Sequence, residues 1–147
     1  DVLVYTSAPL AETLTLAGPV RLHLSAQTDG PDTDWTGKLV DVHPDGRAVG
    51  LTDGIVRARY RLSRQEAKLL TPGEVYDYDV DLVATAIALP AGHRLRVEVS
   101  SSNFPRFDRN TNTGGEIATE SSGRVAVQHV YHDPHRPSWL EITTIES

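Results

Sequence analysis

Tyr76-Asp77-Tyr78-Asp79-Val80-Asp81-Leu82 decides the fold class. Apolar side chains alternate strictly with carboxylates. A strand sends successive side chains to opposite faces, so this segment offers one face to a core and the other to water. The same period recurs on both sides. Upstream, Val20, Leu22, Leu24 and Ala26 alternate with Arg21, His23, Ser25 and Gln27, and Val56, Ala58 and Tyr60 alternate with Arg57, Arg59 and Arg61. Downstream, Leu95, Val97 and Val99 alternate with Arg94, Arg96 and Glu98. One-sided strands of this kind build antiparallel sheets. Residues 2–6, 36–42, 125–131 and 140–145 read as further, less regular strands.

Turn signals punctuate the runs: Ala17-Gly18-Pro19, Asp29-Gly30-Pro31, Pro44-Asp45-Gly46, Asp53-Gly54, Thr71-Pro72-Gly73 and Pro90-Ala91-Gly92. Asp53-Gly54 suits a tight hairpin before Ile55, and Gly92 suits a positive φ at the entry to the 95–99 strand. Short strands at this spacing predict an all-β sandwich or jelly roll. One short helix is expected near residues 63–70, because Ser63 and Glu66 form a capping box and Thr71-Pro72-Gly73 stops it. Residues 103–123 form the one long irregular stretch.

The chain has 147 residues, enough for one domain with its own core. It has no cysteine, so disulfides, thiol nucleophiles and Cys-based zinc sites are excluded. The net charge of −6 argues against nucleic acid, and no apolar run is long enough for a membrane span. The composition leaves the compartment open, with the cytoplasm slightly favoured. Asp1 opens directly on a strand-like Val2-Leu3-Val4-Tyr5, which reads as the continuation of a longer polypeptide, with a processed N-terminus as the alternative.

Candidate chemistry is sparse. No Gly-x-Ser-x-Gly elbow, Walker A loop, dinucleotide fingerprint or His-Glu-x-x-His occurs. His129, His132 and His135 are three apart, and on a strand that spacing alternates faces, so no metal site is assigned to them. Asp29, Asp32 and Asp34 share a loop. Calcium is one reading of them. Local turn caps, or ion pairs with Arg57, Arg59 and Arg61, are the stronger one. Trp35 and Trp139 could serve as sugar platforms in a free-standing carbohydrate-binding module, although Trp is more often partly buried. Ser100, Ser101, Ser102 and Ser138 lack any neighbouring motif that would activate a nucleophile. No cofactor is implied.

Longer motifs then fall in order: Pro31-Asp32-Thr33-Asp34-Trp35, Lys38-Leu39-Val40-Asp41-Val42, Pro44-Asp45-Gly46, and Leu51-Thr52-Asp53-Gly54-Ile55-Val56-Arg57-Ala58-Arg59-Tyr60-Arg61. Leu70-Thr71-Pro72-Gly73 follows, then Gly92-His93-Arg94-Leu95-Arg96-Val97-Glu98-Val99-Ser100-Ser101-Ser102 and Asn103-Phe104-Pro105-Arg106-Phe107-Asp108-Arg109-Asn110. Val130-Tyr131-His132-Asp133 and Pro137-Ser138 close the series. Together these resemble the C-terminal, non-catalytic domain of the X-prolyl dipeptidyl aminopeptidase and CocE/NonD serine hydrolase family.

The resemblance implies a jelly-roll β-sandwich of galactose-binding-like architecture. It would pack on an α/β-hydrolase catalytic domain in the same polypeptide that holds the Ser-Asp-His triad. No catalytic residue is expected within residues 1–147, and His93, His129 and His132 fall at motif positions that the family does not use as the triad base. Homo-oligomer contacts are a further role it allows. The expected interface or cleft-rim residues are Asn103, Phe104, Arg106, Phe107, Asp108, Arg109 and Asn110, with Trp35; a local turn network through Asp108, Arg109 and Asn110 is the alternative. Asp32, Asp34, Arg57 and Arg59 are the expected structural polar network.

Overall fold

The computed structural model describes residues 1–145. Eight strands form two antiparallel sheets: β1 (Leu3–Thr6), β2 (Leu14–Thr28), β3 (Asp34–Val42), β4 (Ala48–Arg57), β5 (Val75–Leu89), β6 (Arg94–Ser100), β7 (Gln128–Tyr131) and β8 (Trp139–Ile145). One sheet runs β1-β6-β3-β4. In the other, β2 pairs with β5 along one side and with β7 and β8 in succession along the other. The sheets close on a core of Leu16, Leu22, Leu24, Leu39, Tyr78, Val80, Leu82, Leu89 and Val99. The architecture is an all-β sandwich, as the period-two alternation requires. Among the described residues no helix is long and apolar enough to cross a membrane.

In β5 the alternation is carried further than the opening heptapeptide suggests. Inward positions are even-numbered as far as Leu82, then odd at Ile87 and Leu89. The phase changes at a bulge, where Leu82 and Val83 together face the single residue Val20. An extra residue shifts every later side chain to the opposite face. Val83 takes φ +69° there and points to solvent, while the Asp81 carboxylate accepts its N–H at 2.9 Å.

Three turn or helix expectations fail, each because a tertiary contact outcompetes a local signal. Asp53-Gly54 is not a hairpin. It lies inside β4, and Gly54 pairs with Gly37 of β3. A Cβ on Gly54 would sit 1.9 Å from the Asp81 carbonyl oxygen, so glycine is needed where β4 meets the backbone of β5. The turn joining β3 to β4 is Pro44-Asp45-Gly46. Ala17-Gly18-Pro19 likewise runs within β2 rather than turning.

No helix forms at residues 63–70. The Ser63 hydroxyl does accept from the N–H groups of Gln65 and Glu66, so the N-terminal half of the capping box exists. The N–H groups that a helix would use next go elsewhere: Lys68 donates to the Arg59 carbonyl at 2.7 Å and Leu70 to the Pro31 carbonyl at 2.8 Å. The only helical turn described is the 3-10 segment Ala58–Tyr60, which ends the strand expected over residues 56–61 after Arg57.

Candidate functional site

Two features stand out in the arrangement of polar and exposed groups: a buried ion-pair frame under the long loop, and an apolar edge on the sandwich.

The frame starts from two carboxylates with almost no solvent access, Asp32 (0%) and Asp34 (1%). Burying a carboxylate costs several kcal/mol unless charge and hydrogen bonds compensate. Arg59 compensates Asp32 through its backbone N–H at 2.9 Å and Nε at 2.8 Å. Arg57 donates to both oxygens of Asp34, at 2.9 and 3.2 Å. The hydrogen bond to Asp34 pushes the Arg57 pKa above its ordinary value. One amide nitrogen, Nδ2 of Asn110, joins the pairs by donating to Asp32 at 2.7 Å and Asp34 at 2.9 Å. Arg59 also reaches the Gly115 carbonyl at 3.0 Å. Asp32, Asp34 and Arg59 thus hold the 103–123 loop at Asn110 and Gly115, with Arg57 fixing Asp34. Arg61 takes a different course, donating to the Lys68 carbonyl at 2.6 Å with its guanidinium over the Tyr76 ring.

The start of the loop is pinned at Asp53, which accepts from Asn103 Nδ2 at 2.9 Å and lies 2.5 Å from Arg106 Nη1 in an ion contact without aligned hydrogen-bond geometry. Between these anchors the loop presents Phe104 (60% exposed) with the Arg109 guanidinium 5.0 Å above its ring. Arg106 lies 5.6 Å from the half-buried Phe107 ring, and Asp108 is exposed. Trp35, grouped with these by sequence, belongs elsewhere. It is 2% exposed, on the core face of β3, 5.8 Å from the Tyr78 ring. A strand flanked by β6 and β4 has no solvent-facing inner side, so Trp35 forms neither a rim nor a sugar platform in this chain.

The apolar edge is β1. Leu3, Val4 and Tyr5 are all exposed, together with Val2, although a one-sided strand should hide half of them. Leu3 pairs with Val99, so β1 is the outer strand of its sheet, with one backbone side unpaired. Beside it an apolar cavity of about 220 Å³ opens between the sheets, lined by Tyr5, Leu22, Val97, Val130, Trp139 and Leu140 among others. Burial raises the Tyr5 phenol pKa. Val125 (90% exposed) and Val127 add apolar surface ahead of β7.

The remaining sequence candidates are dispersed. Asp29 pairs with Arg124 at 3.1 Å, so each carboxylate of the Asp29, Asp32 and Asp34 group holds its own guanidinium rather than a shared cation. His129 stacks on Tyr131, His132 meets Tyr5 edge-on, and the backbone N–H of His135 donates to the Asp133 carboxylate. Ser100 bonds to Thr36, and Ser138 bridges Ser25 N–H and the Tyr131 carbonyl. Neither hydroxyl is hydrogen-bonded to a histidine among the described residues.

One cluster escaped sequence reasoning. Asp41, His43 and His93 converge at the end of the sandwich, with His93 Nδ1 2.8 Å and His43 Nε2 3.3 Å from the two oxygens of Asp41. The Asp-x-His spacing at the end of a strand was the available signal, since residues two apart share a face where the extended backbone continues. The cross-strand register that adds His93 was not legible.

Residues 1–141 match the X-Pro dipeptidyl-peptidase C-terminal non-catalytic domain family. The chain is 44% identical over 148 residues to a cocaine esterase of Rhodococcus sp. (strain MB1 Bresler), covering 99% of this chain and 26% of that protein. It superposes with a TM-score of 0.94 and 37% identity on an aminopeptidase from the marine sediment archaeon Thaumarchaeota archaeon, and with 0.94 and 34% on an α-amino acid ester hydrolase. Both superpositions cover 99% of this chain and 26% of the other. The chain therefore spans about a quarter of the length of these relatives. It belongs to the X-Pro dipeptidyl-peptidase C-terminal non-catalytic domain family.

Proposed function

We propose that this chain is the accessory C-terminal domain of a serine hydrolase that cleaves ester or X-Pro peptide bonds. Its task is to brace an α/β-hydrolase catalytic domain of the same polypeptide and to shape the substrate cleft, through the loop carrying Asn103, Phe104, Arg106, Phe107, Asp108, Arg109 and Asn110. The observation that carries this reading is the exposed apolar edge of β1 beside the open inter-sheet cavity. Hydrophobic surface of this kind, on a domain with a complete core, fits a permanent partner surface. The loop supports the second half of the reading: arginines stacked on exposed aromatics, held by a buried frame, suit a contact anchor. The winding is inferred to be a jelly roll, and the repeated passage of the chain between the sheets supports it.

Hydrogen exchange on the longer polypeptide tests the docking. Amides of residues 2–5 and 103–110 should exchange more slowly there than in the 147-residue chain. Equal exchange in both contexts would remove the docking reading. For the cleft, Phe104→Ala and Arg109→Ala in the longer polypeptide should change KM for an ester substrate while the fold, read by circular dichroism, is retained.

A further inference from the structure

We propose that Asp41, His43 and His93 form a binding site for a divalent transition-metal ion, zinc being the best chemical match. The residues come from two places that the fold brings into register. Asp41 pairs with Leu95 across β3 and β6, on the same face as the Leu39–Val97 pair whose members belong to or pack on the core. One further same-face step along both strands leads to His43 on one side and His93 on the other. All three side chains therefore point to the inner face of one sheet, at its mouth. The turns that carry the histidines are fixed: His43 N–H donates to the Arg47 carbonyl at 2.8 Å, Gly46 N–H to the His43 carbonyl at 2.9 Å, and Gly92 N–H to the Leu10 carbonyl at 2.9 Å.

Charge separates this cluster from the other buried carboxylates. Asp32 and Asp34 each hold an arginine. Asp41 is also buried, at 5% exposed, yet its described ion-pair partners are two imidazoles. A divalent ion held by the same atoms would bring positive charge into direct contact with the carboxylate. The donor set is two imidazole nitrogens and a carboxylate oxygen, all within 4.8 Å of one another. Zinc takes such ligands at about 2.0–2.2 Å, which puts neighbouring donor atoms roughly 3.3 Å apart. His43 Nε2, 3.3 Å from one oxygen of Asp41, matches that value, and His93 Nδ1, 2.8 Å from the other oxygen, would have to draw back by about half an ångström. Arg47 Nη2 lies 3.0 Å from Nδ1 and 3.5 Å from Nε2 of His43, so binding through Nε2 requires this guanidinium to swing out to solvent.

Titration of the chelator-treated 147-residue chain with Zn²⁺ by calorimetry, and with Co²⁺ by its visible d–d absorption, tests the site. The expected result is one equivalent of zinc bound, a Co²⁺ spectrum of low coordination number, and a higher Tm with zinc. His43→Gln and His93→Gln should each weaken binding at least about tenfold and abolish the Tm shift. Both changes lie in turns outside the strands, and circular dichroism of the metal-free variants confirms that they fold. Absence of stoichiometric binding overturns the proposal, as does binding that survives unchanged in both variants.

Discussion

At the scale of single residues, stability under the long loop is concentrated in Arg59 and Asn110. Each touches a carboxylate that has nowhere to find water. Arg59→Ala strands Asp32 as an uncompensated buried charge and should cost about 3–5 kcal/mol in a urea melt. Arg59→Lys should recover only part of this, because a lysine cannot serve both the carboxylate and the Gly115 carbonyl with a fixed fork. Glu120 acts at the loop's other end. Hydroxyls of Thr111 and Thr113 donate to its carboxylate and hold its pKa below the usual 4.5. A lowered folded-state value means that the contribution is complete above pH 4.5 and is lost as pH falls through the lower value. Protection factors of the Thr113 and Gly115 amides should fall in that acid range, and Glu120→Gln should remove that pH-dependent fall.

At the scale of elements, the contact between β4 and β5 sets how closely the sheets approach. Gly37 and Gly54 face each other across β3 and β4, and the Thr52 hydroxyl donates to the Leu82 carbonyl on the opposite sheet. Gly54→Ala drives a methyl group into the Asp81 carbonyl and should destabilise the domain by about 3 kcal/mol or more, or prevent folding. The neighbouring turn glycine Gly46 has nothing within 4 Å of a built Cβ, so Gly46→Ala loses only the ease of its φ of +88° and should cost about 1 kcal/mol. Thermal unfolding of the two variants separates close approach from turn conformation. The same contrast explains why Asp53-Gly54 forms no hairpin. Asp-Gly is a turn signal when the glycine is chosen for φ, and at Gly54 it was chosen for space.

At the scale of the whole molecule, the sandwich has a finished interior and an unfinished edge. A domain with this division should be soluble yet prone to associate. The isolated chain should bind a hydrophobic dye at β1, and Leu3→Lys with Val4→Lys should reduce that binding without lowering Tm. The chain alone should not hydrolyse p-nitrophenyl acetate. Turnover lost on Ser138→Ala would contradict its place in a non-catalytic family.

The sequence by itself determined the fold class, because period-two alternation admits only strands with one buried face. It also carried the family resemblance, through motifs long enough to be specific. It did not reveal where β5 changes phase, since a bulge at Val83 depends on the strand opposite it. It did not reveal that Ser63 caps no helix, because the competing acceptors lie on Pro31 and Arg59. The convergence of Asp41, His43 and His93 was hidden for the same reason: register between β3 and β6 is settled by the core they share, and fifty residues of intervening chain carry no local trace of it.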